Sequence, residues 1–402
     1  MTSNAVRARR VQAGTGACAL VVVAAIFAVG ASARRPPTET AGSGDAEATV
    51  APGAALTAPL GSAAPPSGLP SASTRMSQAR VIRGAITPKS VVASGDGQVF
   101  AQNMMYSHTI TVYDVGGELK KTIPDTVDLS EAGLPSHPGV VQGAPVEVAF
   151  SPDRRFAYVS NYSMFGPGFA KPGDDVCSPG KFDNSYLYRV DVATLAIDNV
   201  YPVGSVPKFV AVTPDNRYVL VTDWCSYDLI VLDTATGATV KRIKVGPYPR
   251  GIVVDPTSTT AYVAVMGTTD VAKVQLSDFS TTWIRGVGAG PRHLVMDPAG
   301  TSLYVTLNGG DKVAKVDLRT DKVVARRATG KAPRSMTIAP DGQSLYVVNY
   351  DSNTVTKLRA SDMVVLQTLP TNAKPIGITY EPVSRTVWVA CYTGSIMIFR
   401  DG

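Results

Sequence analysis

Five basic residues occupy one position of a repeated sequence, each directly after a proline. They are Lys89, Lys208, Arg250, Arg292 and Arg334. If the repeat places them side by side, they form a concave surface of one charge sign that attracts anions, and arginine adds two-point contacts to carboxylate or phosphate groups. Each could instead form an ion pair with a neighbouring repeat or cap a turn. These residues are candidate anion ligands, and the structural role stays open beside the functional one.

Amide, carboxylate and aromatic side chains end a second β-rich run in most of the repeats. The set comprises Asn103, Asn161, Tyr162, Asp223, Trp224, Asn308, Asn349, Tyr350 and Tyr392. Amides beside aromatic rings at the rim of a loop suit the recognition of a small polar ligand or a peptide. Asparagine also forms turns, and aromatic rings also cover the edges of sheets, so a structural role is open here too.

Catalytic and metal-binding residues are only weakly indicated. Glu147 and His293 are the candidate acid-base groups, because Glu147 is the acid close to a repeat's proline on a first run. The histidines His108, His137 and His293 lack metal-ligand spacing and are interpreted as ordinary loop histidines. The sequence contains no Gly-x-Ser-x-Gly elbow and no phosphate-binding glycine loop. It therefore predicts no metal and no cofactor, and favours binding over catalysis.

The elements that must position these residues form a strict repeat. Five prolines follow one another at intervals of 42 residues: Pro207, Pro249, Pro291, Pro333 and Pro375. Each interval contains four short β-rich runs separated by turn sequences, and two longer units begin at Pro88 and Pro145. Seven four-stranded units of this length predict an all-β, seven-bladed β-propeller of antiparallel blades, with an open β-solenoid as the rival architecture. Loop insertions at roughly 124–144 and 163–183 account for the longer units.

The two ends of the repeat region predict a closed ring. The last unit supplies three runs and stops at Gly402, while residues 80–84 resemble an outer strand that has nothing before it to pair with. Placing this N-terminal strand on the last blade removes an exposed sheet edge. The alternative is that residues 80–84 are merely the end of a linker.

The repeats also carry a recognisable sequence pattern. Residues 158–161 read Tyr-Val-Ser-Asn and residues 346–349 read Tyr-Val-Val-Asn, with Pro-Asp-Gly at 340–342. In these motifs, from about residue 80 to the end, the chain resembles the YVTN-type β-propeller repeat family. The resemblance implies the fold, and it implies several functions: exported binding proteins, surface proteins, lactonase-like enzymes, or partners of redox enzymes.

The N-terminal quarter of the chain differs in composition from the repeats. Residues 1–33 contain an uncharged apolar segment, 11–33, flanked by arginines, which predicts a signal peptide or a retained membrane anchor. Residues 34–77 are rich in Ala, Pro, Gly and Ser and predict a disordered linker before the propeller at 78–402. Residues 1–83 carry eight arginines and three acids, a net charge of +5 out of the formal +6. The propeller is thus nearly neutral, so no broad basic field exists for nucleic acid.

Two of the four cysteines are placed to form a disulfide. Cys177 lies in the second insertion and Cys225 in the equivalent loop of the next unit, so both loops leave adjacent blades on one face. An exported protein permits the oxidation, and two free thiols are the alternative. The same insertion carries Phe165, Phe169, Asp174 and Asp175, which could form a lid or a partner surface.

Taken together, these observations predict an extracytoplasmic propeller, periplasmic, cell-surface or secreted. It would present a basic, aromatic-rimmed face to an anionic small molecule, a glycan or a partner protein, with the propeller itself monomeric. A lactonase-like hydrolase or lyase is the first alternative. An accessory protein of an exported redox enzyme is the second.

Overall fold

The computed structural model describes residues 68–134, 137 and 139–402. In this part of the chain, seven antiparallel sheets form a ring, and the predicted seven-bladed propeller is confirmed. The predicted export segment and the linker up to residue 67 lie outside the described residues. No helix among the described residues is long and apolar enough to cross a membrane.

The strands of the first three blades follow the predicted runs. Blade one contains β2 (Pro88–Ala93), β3 (Gln98–Asn103), β4 (Thr109–Asp114) and β5 (Leu119–Pro124). Blade two contains β6 (Thr126–Asp128), β7 (Val140–Phe150), β8 (Phe156–Phe165), β9 (Tyr186–Asp191) and β10 (Ala196–Pro202). Blade three contains β11 (Pro207–Val212), β12 (Tyr218–Asp223), β13 (Asp228–Asp233) and β14 (Thr239–Lys244).

The remaining four blades repeat the same four-strand unit. Blade four contains β15 (Pro249–Val254), β16 (Thr260–Val265), β17 (Val271–Gln275) and β18 (Thr281–Ile284). Blade five contains β19 (Pro291–Met296), β20 (Ser302–Leu307), β21 (Lys312–Asp317) and β22 (Lys322–Ala328). Blade six contains β23 (Pro333–Ile338), β24 (Ser344–Asn349), β25 (Thr354–Arg359) and β26 (Val365–Pro370). Blade seven contains β27 (Pro375–Glu381), β28 (Thr386–Cys391), β29 (Ser395–Asp401) and β1 (Met76–Arg83), and one 3₁₀ turn, Ser71–Ser73, precedes β1.

The first strand of each blade lines a central channel. Each of these inner strands contacts the inner strand of the next blade, and β2 contacts β27, which closes the circle. The contact is close, because a Cβ atom at Gly377 would lie 2.7 Å from the Cα atom of Ser90. Between blades, alternate side chains form the core: Leu220 and Val231 of blade three pack with Ile252 and Val263 of blade four.

The N-terminal strand fastens the ring as predicted. β1 pairs antiparallel with β29, and Val81 lies opposite Met397. Two residues before the predicted boundary at residue 78 also pack on the propeller: Ser71 and Thr74 are buried against blades six and seven. The Ser71 hydroxyl donates to Asp341, and the Thr74 hydroxyl donates to Asp401. These hydrogen bonds order residues that composition alone assigned to the linker.

Parts of the two insertions are strands rather than loops. β6 pairs with the first residues of β7, so blade two has five strands, with Val127 opposite Val141. The second insertion extends β8 as far as Phe165, which lies opposite Gln142. Val140 and Val141 of β7 favour a strand, and antiparallel pairing of β7 with β8 lengthens this hairpin beyond the first two strands of the other blades.

Candidate functional site

The five predicted basic residues converge at one end of the channel. Each is the second residue of an inner strand, directly after the proline that begins it. We refer to Lys89, Lys208, Arg250, Arg292 and Arg334 as the cation ring. The first four are only 2–9 % exposed, and Arg334 is half-buried. The positive charges of Lys208, Arg250 and Arg292, in blades three, four and five, all lower the pKa of Lys89 in blade one. The five cations therefore lie near one another around the channel.

Aromatic residues hold the lysines of the ring. Trp224 and Tyr392 lie one position after the second strand of their blades, where the sequence predicted a rim, and Tyr162 has the equivalent position within the longer strand β8. The Lys208 ammonium is 4.2 Å from the ring centroid of Tyr162 and 5.1 Å from that of Trp224. The Lys89 ammonium is 5.3 Å from the centroid of Tyr392. Such cation–π contacts orient a cation without neutralising its charge.

The arginines of the ring contact the same rim position in their own or neighbouring blades. The Arg334 guanidinium lies 3.9 Å from the ring centroid of Tyr350. Arg292 donates from Nη1 to the sulfur of Met266 at 3.7 Å, and its Nε is buried without a partner. Met266 stands where four other blades carry an aromatic residue, and its contact with Arg292 could not be predicted from this position.

Carboxylates neutralise little of this charge. Within the described residues, Lys208 is the one member of the ring with an ion pair, and its partner Asp175 Oδ1 lies 2.6 Å away. Glu147, the buried acid of β7, acts on Arg250 through its charge. The ion-pair alternative considered for the five cations therefore explains Lys208 and leaves the other four without a paired carboxylate.

The pKa values of the ring show how unfavourable the uncompensated charge is. Burial, followed by the positive charges of Lys208 and Arg250, lowers the pKa of Lys89 well below its usual value. Burial also lowers the pKa of Lys208 to about 7, although Asp175 opposes this shift. Burial and neighbouring arginines depress the pKa of Arg292 as well. The site therefore disfavours its own positive charge and would be stabilised by an added anion.

Asp175 is held at the ring by the second insertion. The predicted disulfide between Cys177 and Cys225 is present and ties this insertion to blade three. The indole N–H of Trp224 donates to the main-chain oxygen of Asp175 at 2.9 Å, and the Tyr227 hydroxyl donates to the Cys177 oxygen at 2.7 Å. Burial opposes ionisation of Asp175, but Lys208 and the other cations lower the pKa of this carboxyl far below its usual value.

Four predicted rim residues lie inside the blades instead. Asn103, Asn161, Asp223 and Asn349 are fully buried, which corrects the expectation that they face the rim. Asn349 donates to the hydroxyls of Thr354 and Thr356, and Asp223 accepts from the main-chain N–H of Gly204. These bonds connect strand ends within each blade, although one side-chain oxygen of Asn161, of Asp223 and of Asn349 has no hydrogen-bond partner among the described residues. Asn308 is half-buried at the rim position.

The candidate acid-base groups line one cavity in the channel. Glu147 and His293 both border a space of about 190 Å³ next to Phe209, whose ring centroid is 5.1 Å from that of His293. Burial raises the pKa of Glu147 to about 7, against the effect of Arg250. Burial and neighbouring arginines lower the pKa of His293 to about 3, so its imidazole is neutral.

The other two histidines lie beside aromatic residues of the second insertion. The His108 ring is 5.2 Å from that of Phe165, and the His137 ring stacks on Phe169 at 4.4 Å. Among the residues that the structure describes, no three His, Cys, Asp or Glu side chains form a group that could hold a metal.

Comparisons with known proteins identify the architecture. No family model and no curated protein matches the chain. Among solved structures, hydrazine synthase from Kuenenia stuttgartiensis is similar, with a TM-score of 0.63 at 16% identity, over 80% of this chain and 97% of that one. At this identity the likeness shows the fold alone, a β-propeller. Membership in the YVTN family stays a prediction, and so does the accessory role for a redox enzyme.

Proposed function

We propose that this protein binds a small anion with two or more negative charges, such as a phosphate or a polycarboxylate, in the cation ring. The observation that carries this proposal is the set of five converging cations, of which only Lys208 has a paired carboxylate among the described residues. Burying like charges without partners is costly, and a bound anion removes that cost.

The chemistry of the ring suits such a ligand. Arg250, Arg292 and Arg334 supply planar guanidinium groups, which bind carboxylate or phosphate through two parallel hydrogen bonds. The hydrogen bond from the Lys208 ammonium to the Asp175 carboxylate supports this chemistry, because the protein's own oxyanion already lies against the ring. The Asp175 side chain is 67% exposed, so a stronger soluble anion can compete with it.

The disulfide supports an oxidising, extracytoplasmic compartment for this binding. Cys177 and Cys225 join two loops of the face that carries the ring. Structural disulfides persist in exported proteins and are rare where thiols are kept reduced. We therefore propose an exported binding protein, and its export signal would lie upstream of the described residues.

Two substitutions test the proposal by titration calorimetry with phosphate, malonate and citrate. One removes a positive charge from the ring, and the other removes the negative charge beside it. Arg292→Gln should weaken binding of these anions by about 10- to 100-fold, because a charge-assisted hydrogen bond contributes about 1.5–3 kcal/mol. Asp175→Asn removes the competing carboxylate and should strengthen binding several-fold.

The neighbouring acid provides the matched control for this test. Asp174 is exposed in the same insertion, and Asp174→Asn should leave anion affinity within about twofold. Absence of binding by all three anions, or equal effects of the Asp174 and Asp175 variants, would contradict the proposal. Thermal unfolding of each variant shows whether a lost affinity reflects a lost fold.

A hydrolase is the second candidate, on one observation. Glu147, whose pKa is raised to about 7, borders the same cavity as the neutral His293, beneath an anion-binding ring. A general base needs such a pKa. Turnover in a panel of lactones, abolished in Glu147→Gln, would support this function, and no turnover by the wild-type protein would end it.

A further inference from the structure

A second cavity lies beside the cation ring, under the hairpin of blade two. This side pocket has a volume of about 470 Å³, and its walls include Met104, Met105, Tyr106, Phe165 and Tyr392, with Lys89 at one side. We infer that the side pocket accepts the aromatic body of an organic acid whose acidic group is bound by the cation ring. The inference rests on the proposed function and names the class of ligand: an aromatic carboxylate with two fused rings or more.

The pocket and the ring are continuous. Lys89 belongs to both, and its ammonium stands over the Tyr392 ring. Tyr162 and Asp175 also border the pocket, and both contact Lys208. A ligand in the pocket therefore reaches Lys89 directly, and it lies next to the two side chains that contact Lys208.

Part of the pocket wall is apolar and polarisable, beside the polar residues Ser163 and Asp175. Met104 packs with Ala144 and Val146, and the half-buried Met105 lies beside this cluster. Methionine side chains adapt their shape and make favourable sulfur–aromatic contacts. Phe165 is exposed at the other wall, with its ring 5.2 Å from that of His108. Burial lowers the pKa of His108, so this wall adds no positive charge. Lys89 is therefore the one cation among the described residues that line the pocket.

Tyr106 presents an exposed ring at the side pocket. Tyr106 has φ = 63° and His108 has φ = 44°, but the residue directly before the third strand has the same left-handed backbone in other blades, at Tyr227, Asp311 and Asn353. The backbone of His108 therefore belongs to the turn of the repeat. The Tyr106 side chain is 85% exposed and borders the pocket, so a stacked aromatic ligand would cover its ring.

The volume sets the size of the ligand. A cavity of about 150 Å³ holds one benzene ring. The side pocket is about three times larger and falls within the usual range for small-molecule sites, about 300–1,000 Å³. Two fused rings therefore fit, with room for the acidic group to point at Lys89.

Titration calorimetry with four probes tests the inference: 2-naphthoate, acetate, neutral 2-naphthylmethanol and inorganic phosphate. The wild-type protein should bind 2-naphthoate roughly 30-fold more tightly than acetate, because the ring system loses its contact with water. Met105→Thr combined with Phe165→Ser should reduce that advantage to threefold or less. The same variant should keep its phosphate affinity within twofold, which shows that the ring is intact.

Two further variants check the link between the pocket and the cation ring. Lys89→Gln should weaken the binding of both 2-naphthoate and phosphate, since Lys89 belongs to both sites. Leu119→Ser alters an exposed apolar residue on the outer strand of blade one and should change neither affinity.

Each outcome bears on one proposal. If phosphate binds but 2-naphthoate binds no better than acetate, the inference fails and the proposed function stands. An advantage that survives the Met105 and Phe165 substitutions also overturns the inference, as does equal binding of 2-naphthylmethanol and 2-naphthoate. If phosphate does not bind either, the proposed function itself has failed.

Discussion

At the scale of single residues, the cation ring and the channel cavity each contain a group that titrates near neutral pH. Burial raises the pKa of Glu147 to about 7 and lowers that of Lys208 to about 7. Below pH 7 the glutamic acid is neutral and the lysine is charged, whereas above it the carboxylate forms and the ammonium loses its proton. Both changes make the site less positive as the pH rises.

Anion affinity should therefore fall as the pH rises through about 7. We expect roughly five- to tenfold weaker sulfate binding at pH 8.5 than at pH 5.5 for each charge lost, and proton uptake on binding at pH 7, because sulfate stays a dianion over this range. Glu147→Gln should bind sulfate more tightly than the wild type at pH 8.5 and equally at pH 5.5. Calorimetry in two buffers of different ionisation enthalpy measures the proton uptake.

The control for this titration is an exposed glutamate of the same blade. Glu131→Gln should reproduce the wild-type profile, because Glu131 is exposed outside the channel. A Glu147→Gln profile that overlays the wild type would contradict ionisation of Glu147 next to the bound anion.

The sequence predicted the members of the ring but not their surroundings. A residue fixed after each repeated proline must recur at one level of a propeller, so the convergence of Arg250 and Arg292 follows from the period alone. The burial of Asn349 could not be predicted in this way, since its partners Thr354 and Thr356 lie on the next strand and an Asn at a strand end also suits a turn. The position of Met105 in the wall of the side pocket could not be predicted either, because it depends on the packing of the blade-two hairpin.

At the scale of elements, β1 closes the ring through a buried network as well as through strand pairing. Lys357 of β25 and Asp401 of β29 are both fully buried, with their charged atoms 2.5 Å apart. The Lys357 ammonium also donates to the oxygen atoms of Thr74, and the Tyr346 hydroxyl donates to Asp401. The network joins blade six, blade seven and the residues that precede β1.

Removing the cation of this network should weaken closure strongly. Lys357→Met leaves the buried carboxylate of Asp401 without its ion-pair partner, which costs about 3–5 kcal/mol. We expect a large drop in the denaturant midpoint and partial recovery in the double variant Lys357→Met with Asp401→Asn.

The exposed ion pair of the same blade is a suitable comparison. Arg359 and Asp362 are both nearly half exposed, and Arg359→Met should cost less than about 1 kcal/mol. Equal midpoints for the Lys357 and Arg359 variants would show that the buried network does not secure the ring.

The closing strand β1 could be predicted because the last unit lacks a fourth β-rich run and residues 80–84 form such a run with no neighbour to pair with. β6 could not, since Thr126–Asp128 is short and its pairing with β7 depends on a turn of about a dozen residues. The packing of Ser71 and Thr74 was hidden for a similar reason: both residues have the composition of the linker, and only their distant partners Asp341 and Asp401 distinguish them.

At the scale of the whole molecule, the second insertion at the channel mouth is fixed by contacts other than the strand pairing within a blade. The second insertion reaches from blade two to blade three, where the disulfide, the Asp175–Lys208 pair and the Trp224 hydrogen bond fix it. None of these contacts belongs to the pairing between strands of a blade. The rigidity of the site is thus separable from the stability of the propeller.

Removing the disulfide should release the insertion and leave the ring of blades folded. The bond closes a loop of 48 residues, and in the chain-entropy model its loss costs at most about 4 kcal/mol. In Cys177→Ser with Cys225→Ser, trypsin should cut faster after Lys181, which is exposed within the insertion, while the far-ultraviolet circular dichroism stays that of the wild type. Cleavage at Lys241, an exposed residue of strand β14, is the internal control and should not accelerate. Unchanged cleavage at Lys181 would mean that Trp224 and Lys208 hold the insertion without the disulfide, whereas faster cleavage at Lys241 would mean that the bond stabilises the propeller as a whole.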